Sequence, residues 1–237
     1  MIVMIVYALA IVAECYFIPM FLKAAWPERT MTSLKYKMVC SGLFMLSALC
    51  CMVYSSNYSL YTVFMLVGLT FGLIGDLLLH FPTPKKWVNF LGGASFFIGH
   101  IFYIVSFSVA MKNYFPNAKV FDYRAIIVIF GLVGIGVIIA LAKKLKLGKF
   151  AIPVLAYAIV IVTMLVTAFQ LTIRLSGTIS VACTVLLGAI LFVLSDFTIT
   201  FLFFGGQKGN RPLKVFNIVT YFLGQILLGT SILFIQS

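Results

Sequence analysis

The chain has 237 residues, 63% of them hydrophobic and only 9% charged, and its mean hydropathy is +1.18. Those values exclude a soluble globular domain and an intrinsically disordered one, leaving a polytopic membrane protein. The net charge of +12 therefore bears on orientation in a bilayer, and no nucleic-acid partner is expected.

A helix needs about 20 apolar residues to cross a bilayer. Runs of that kind fall near 2–22, 38–54, 60–80, 89–110, 125–142, 150–170, 178–204 and 215–236. They predict an all-α, polytopic integral membrane protein: one transmembrane domain of eight helices over 1–237. The first run has no basic n-region and no small-residue cleavage site, so it reads as an uncleaved span. The longest interruptions are KAAWPERTMTSLKYK after helix 1, KNYFPNAKVFDYR after helix 4 and GGQKGNRPLK after helix 7. None holds a soluble domain, so function is expected in the spans or their mouths. Of the 17 Lys and Arg, thirteen lie in the loops after helices 1, 3, 5 and 7. The positive-inside rule makes those loops cytoplasmic, with both termini facing outward from the cell membrane. The run Lys143, Lys144, Lys146 and Lys149 is read as an orientation signal that also attracts anionic lipid. The cysteines Cys15, Cys40, Cys50, Cys51 and Cys183 match no metal-ligand spacing and are read as packing residues.

The chain also resembles itself. LIGDLLLHF at 73–81 aligns with VLSDFTITF at 193–201, and each is followed by a helix carrying F-L-G and then Gly before a polar residue, Gly99-His100 or Gly224-Gln225. The two stretches are helices 3–4 and 7–8, which run the same way through the membrane. This predicts a parallel four-plus-four internal repeat, with a site at the seam between the halves.

Among the five acidic residues, Glu28 and Asp122 fall in loops and are expected to be solvated, whereas Glu14, Asp76 and Asp196 fall inside spans. An ionisable group at the centre of a span costs at least about 2.5 kcal/mol and by default marks function. Gly68, Gly72, Asp76 and His80 recur every four residues, so Asp76 shares its face with a Gly-x-x-x-Gly helix contact and points at protein. Gly188, Phe192, Asp196 and Thr200 make a comparable stripe in helix 7. His100 and Tyr103 share a face of helix 4, as do Tyr221 and Gln225 in helix 8. A rise of 1.5 Å per residue puts Asp76 roughly 7 Å from the cytoplasmic helix ends, Asp196 and Tyr221 roughly 10 to 12 Å, and His100 and Gln225 roughly 16 to 18 Å. These five are expected to line one pocket open to the cytoplasmic leaflet.

GDLLLHF at 75–81, FLGGASFFIGHIFY at 90–103, IPVLAYAIVIVTM at 152–164, GAILFVLSD at 188–196 and YFLGQILL at 221–228 together resemble the YhhN family of bacterial membrane proteins and animal lysoplasmalogenases. The resemblance covers helices 3 to 8, about two thirds of the chain. It departs at Lys35 and Lys37, which stand without the family's Lys-Pro pair, at Phe222 in place of a second tyrosine, and at His80, which has no expected counterpart.

The resemblance implies a hydrolase that cleaves the vinyl ether bond of lysoplasmalogen to a fatty aldehyde and a glycerophospho-base, with membrane lipid as its surroundings and a lysolipid as its partner. Such a bond reacts by protonation at carbon, capture of the oxocarbenium ion by water and collapse of the hemiacetal. The chemistry needs one protonated acid and one carboxylate and calls for no metal or cofactor. Asp76 and Asp196 are the expected acid and base, in either order, with His100 orienting a carboxylate or shuttling a proton. Tyr103, Tyr221, Gln225 and Ser195 are expected at substrate oxygens or water, and Lys85, Lys86, Lys208, Arg211 and Lys214 at the phosphate headgroup. Glu14 and His80 are accessory candidates. Two rival readings use the same residues. One is a metal hydrolase liganded by Asp76, His80, His100 and Asp196, although zinc hydrolases favour more histidine than the two present. The other is a proton-coupled carrier of lipids or small molecules, because buried acids and repeats also describe transporters.

Overall fold

The computed structural model describes residues 1–82, 85–207 and 209–236. Among them there are eight helices long and apolar enough to cross a membrane, and no strand. In chain order they are α1 (Ile2–Ala24), α2 (Met31–Ser55), α3 (Leu60–His80), α4 (Lys86–Tyr114), α5 (Tyr123–Ala142), α6 (Ala151–Arg174), α7 (Ile179–Phe204) and α8 (Arg211–Thr230). α7 contains a π-turn at Ala182–Leu186, and α8 closes in a 3-10 turn at Ser231–Leu233.

The spans match the eight expected runs, but α2, α4 and α8 start earlier than hydropathy alone suggests. For α2 and α8 the reason is capping. Thr30 accepts from the Ser33 backbone N–H while the Ser33 hydroxyl accepts from the Thr30 N–H, a reciprocal box that starts α2 at Met31. Seven residues that hydropathy leaves in a loop become helix, Lys37 among them. Asn210 caps α8 through the Leu213 N–H, with Pro212 in the first turn where its missing donor is harmless. Asp122 is likewise a cap, accepting from the Ala125 N–H at the start of α5.

α8 is the most buried span and α1 the least. α3 packs on α4 and α7 on α8, while α2 lies against α8 and α6 against α4. Each tight crossing is made by a glycine pair. A Cβ on Gly99 would stand 3.1 Å from the Gly68 carbonyl oxygen, and one on Gly224 would stand 3.1 Å from that of Gly188. Backbone thus meets backbone at both places, the close approach that small residues permit inside a membrane. α1 attaches along α2, and α5 along α6.

Candidate functional site

The stripe read on α3 faces protein: Gly68, Gly72, Asp76 and His80 are all buried. Asp76 is only 1% exposed, yet its carboxylate is fully engaged. Lys37 Nζ of α2 stands 2.8 Å from Oδ1, Ser41 Oγ donates to Oδ2 at 2.6 Å, and Tyr221 OH of α8 donates to the same oxygen at 2.8 Å. An ion pair reinforced by two hydroxyl donors is the arrangement in which a buried carboxylate is tolerated. The chain of contacts continues upward: Gln225 Nε2 donates to the Tyr221 oxygen at 3.2 Å, and Tyr103 OH donates to Gln225 Oε1 at 2.7 Å. Gly72 makes room for this, since a Cβ there would sit 2.6 Å from Gln225 Nε2.

Asp196 belongs to a second network. Tyr157 OH of α6 donates to its Oδ2 at 2.5 Å, and His100 Nε2 of α4 lies 3.7 Å from the same atom. The His100 Nδ1 is 2.6 Å from the Phe96 carbonyl oxygen, which can only accept, so Nδ1 carries the hydrogen and Nε2 turns its lone pair toward Asp196. Nε2 is buried and has no hydrogen-bond partner among the described residues. At 3.7 Å the two atoms are too far apart to hydrogen-bond, so His100 and Asp196 are electrostatic neighbours. Asp196 has no Lys or Arg partner among the described residues, and its side chain is 13% exposed against 1% for Asp76.

The ring of Phe192 touches both networks. It packs edge-on against His100 at 4.7 Å and against Tyr221 at 5.4 Å between centroids, while His100 also meets the Tyr103 ring. Asp76, Tyr221, Gln225, Tyr103, His100 and Asp196 thus form one largely buried patch, in which the Phe192 and Tyr103 rings touch both networks. They are packed on one another; two open grooves lie elsewhere, one lined by Met1, Met4, Ile5, Ala8, Leu9, Val12 and Tyr54 and one around Tyr114 and Arg174.

Other expected residues lie outside this patch. Ser195 donates to the Asn217 carbonyl at 3.1 Å and accepts from Asn217 Nδ2 at 2.9 Å, a tie between α7 and α8. His80 Nε2 is spent on Ser33 Oγ at 2.8 Å, under the Phe21 ring. Lys85 is exposed at the start of α4. Lys214 donates to the Ala25 carbonyl at 2.5 Å, and Arg211 stacks on Trp26. Lys208 and the side chain of Lys86 lie outside the described residues. Glu14 is 1% exposed, and neither carboxyl oxygen has a hydrogen-bond partner. Among the described residues, no three His, Cys, Asp or Glu side chains gather as a metal site, and all five cysteines are free.

Three contributors escape a sequence reading centred on acids: Lys37, Ser41 and Tyr157. Lys37 looks like one more cytoplasmic loop charge until the Thr30–Ser33 box extends α2 beneath it. Tyr157 lies within the quoted IPVLAYAIVIVTM segment, but no acid on its own helix points to it.

Comparison with curated proteins and with solved structures returned no match. A family model described as YhhN family matches residues 33–232, a span that begins at Ser33 and so takes in α2 with Lys37 and Ser41 as well as the motifs of α3 to α8. The chain belongs to the YhhN family.

Proposed function

We propose that this protein is an intramembrane hydrolase that cleaves the vinyl ether bond of lysoplasmalogen-type lysolipids, using Asp196 with His100 as the proton source and Asp76 as the carboxylate. One observation carries the division of roles: the two aspartates stand in opposite electrostatic settings. Asp76 is tied to an ammonium and two hydroxyls, whereas Asp196 faces a tyrosine hydroxyl and an imidazole lone pair. Environments that separate two carboxyls in this way are what assign acid and base in paired-carboxyl hydrolysis.

The reaction follows from those settings. The proton of the Asp196 carboxyl, beside His100, passes to the terminal carbon of the C=C–O unit, leaving an oxocarbenium ion stabilised by the Asp76 carboxylate. Water adds to the cationic carbon and gives up a proton to the Asp196 carboxylate, which restores the acid. The hemiacetal then collapses as its hydroxyl proton moves to the glyceryl oxygen, releasing aldehyde and glycerophospho-base. One water is consumed and no proton is gained or lost. Tyr103, Gln225 and Tyr221 form a hydroxyl–amide chain suited to holding water or a substrate oxygen.

The internal repeat belongs to the same reading. The same sequence offset separates Asp76 from Asp196, Gly68 from Gly188, and Lys37 from Tyr157, so each aspartate receives its donor from the second helix of its own half. The glycine crossings match, and α2 on α8 mirrors α6 on α4. These parallels support two four-helix halves about an axis along the membrane normal, and the Lys and Arg distribution supports both termini outside the cell membrane with the aspartates nearer its inner leaflet. The test is mass spectrometry of products after purified protein in detergent meets a panel of lyso-ether lipids. An enzyme yields aldehyde without a second compartment, whereas a carrier yields none.

A further inference from the structure

The ends of α1, α2, α3 and α8 meet at one mouth of the bundle, and the groups gathered there are cationic. Arg29, in the short turn between α1 and α2, donates from Nη1 to the Leu79 carbonyl at the end of α3. Lys214 of α8 donates to the Ala25 carbonyl at the end of α1. Two cations lie over the Trp26 ring, Lys214 Nζ at 5.6 Å and the Arg211 guanidinium at 5.9 Å from its centroid. Lys37 and Arg29 are within electrostatic reach of Lys214.

Helix ends explain one bond from each of Arg29 and Lys214, since terminal carbonyls attract cations. They do not explain the gathering. An Arg carries five N–H donors and a Lys three, and one on each is used. Among the described residues the single carboxylate paired with any of these cations is Asp76, and it is taken by Lys37. Among the described residues Arg29, Arg211 and Lys214 form no salt bridge; the one acid close in sequence, Glu28 beside Arg29, is exposed and unpaired with them. Arg29 is partly buried, and burial pulls its guanidinium below the ordinary arginine range. Unpaired like charges brought together at a helix mouth are stabilised by an anion, and a guanidinium beside an ammonium is the donor set that suits phosphate. Trp26 adds the amphipathic ring that favours the headgroup level of a membrane.

We infer that Arg29, Arg211 and Lys214, around Trp26, form a subsite for the phosphate group of a lysophospholipid. The inference deepens the proposed function by naming where the substrate's headgroup sits, and its phosphate chemistry is shared by free phosphate. It shifts the headgroup away from Lys85 on the neighbouring loop. It also puts the phosphate beside Lys37, so that a chain extending inward passes Asp76 first.

Binding without turnover separates this inference from the hydrolytic reading. The full-length protein in neutral detergent is titrated with 1-acyl lysophosphatidylcholine, which has no vinyl ether, with the monoacylglycerol of the same chain, and with inorganic phosphate. The lysophospholipid should bind at least about tenfold more tightly than the monoacylglycerol. Arg29→Gln with Lys214→Gln should erase that preference, whereas Arg29→Lys with Lys214→Arg should keep most of it. Should the double Gln variant fail to fold, Arg211→Gln, at an exposed side chain, carries the test with a several-fold loss. Equal binding of the two lipids, or a preference indifferent to these substitutions, overturns the subsite. Inorganic phosphate binding as tightly as the lysolipid overturns its assignment to a headgroup. Aldehyde release failing while the binding preference stands refutes the chemistry and leaves the subsite intact.

Discussion

Replacing Lys37 by Met keeps most of its length and removes the charge opposite Asp76. In the native protein the Asp76 carboxylate has an ammonium at 2.8 Å and hydroxyls at 2.6 and 2.8 Å. The variant keeps the two hydroxyls and loses the only cation, in a position where the acid is 1% exposed. Breaking a buried pair by removing one partner costs about 3 to 5 kcal/mol, because a charge is left uncompensated. The acid can instead take up a proton, which limits the loss of stability but removes the carboxylate the reaction needs. Lys37→Met should therefore lower the midpoint of thermal unfolding in detergent and reduce aldehyde release at least about a hundredfold, the equivalent of 2.7 kcal/mol at 1.36 kcal/mol per factor of ten. Adding Asp76→Asn removes the orphaned charge, so the double variant should regain most of the stability and none of the activity. A double-mutant cycle measures this coupling directly. A Lys37→Met protein as stable and as active as the parent, with no coupling to Asp76→Asn, refutes the ion-pair reasoning.

Other outcomes follow from the same contacts. Gly72→Ala drives a methyl against Gln225 Nε2, which is tied to Tyr103 and Tyr221, so stability measured by unfolding should fall by about 1 to 3 kcal/mol and turnover should fall with it. Tyr157→Phe removes the donor to Asp196; interhelical bonds in membranes average about 0.6 kcal/mol, so the fold should persist while kcat drops by more than that small loss of stability explains. Ser195→Ala breaks only the tie to Asn217, and turnover per folded molecule should be unchanged in the aldehyde assay.

The spans were legible because long apolar runs admit no other structure. Asp76 and Asp196 were legible because an acid in such a run is costly. Glycine spacing showed which way Asp76 faces, since only one side of α3 carries small residues. Helix starts were less legible: hydropathy ends where polar residues begin, but TMTSLKYK is polar and helical, and its cap is a Thr–Ser pair rather than the usual Thr–Glu. That boundary hid Lys37. Depth counted from helix ends was off for Tyr221, because the Asn210 cap starts α8 at Arg211 and not near residue 215. Tyr221 is well inside α8 and Asp76 close to the end of α3, yet they share a hydrogen bond. Partners across helices, such as Tyr157 for Asp196 or Asn217 for Ser195, depend on rotation and tilt, which a single sequence does not encode in any local pattern. The single pocket expected from five polar positions is instead two bonded networks that meet at Phe192, a ring that reads in sequence as ordinary core.

The proposed reaction requires Asp76 and Asp196, from different halves of the bundle, to act together on one bond. Its most direct measurement is aldehyde release from a lysoplasmalogen by purified Asp76→Asn and Asp196→Asn variants, each first shown to be folded and expressed like the parent. Loss of release in both single variants is the predicted result. Turnover retained by either one contradicts the two-carboxyl scheme.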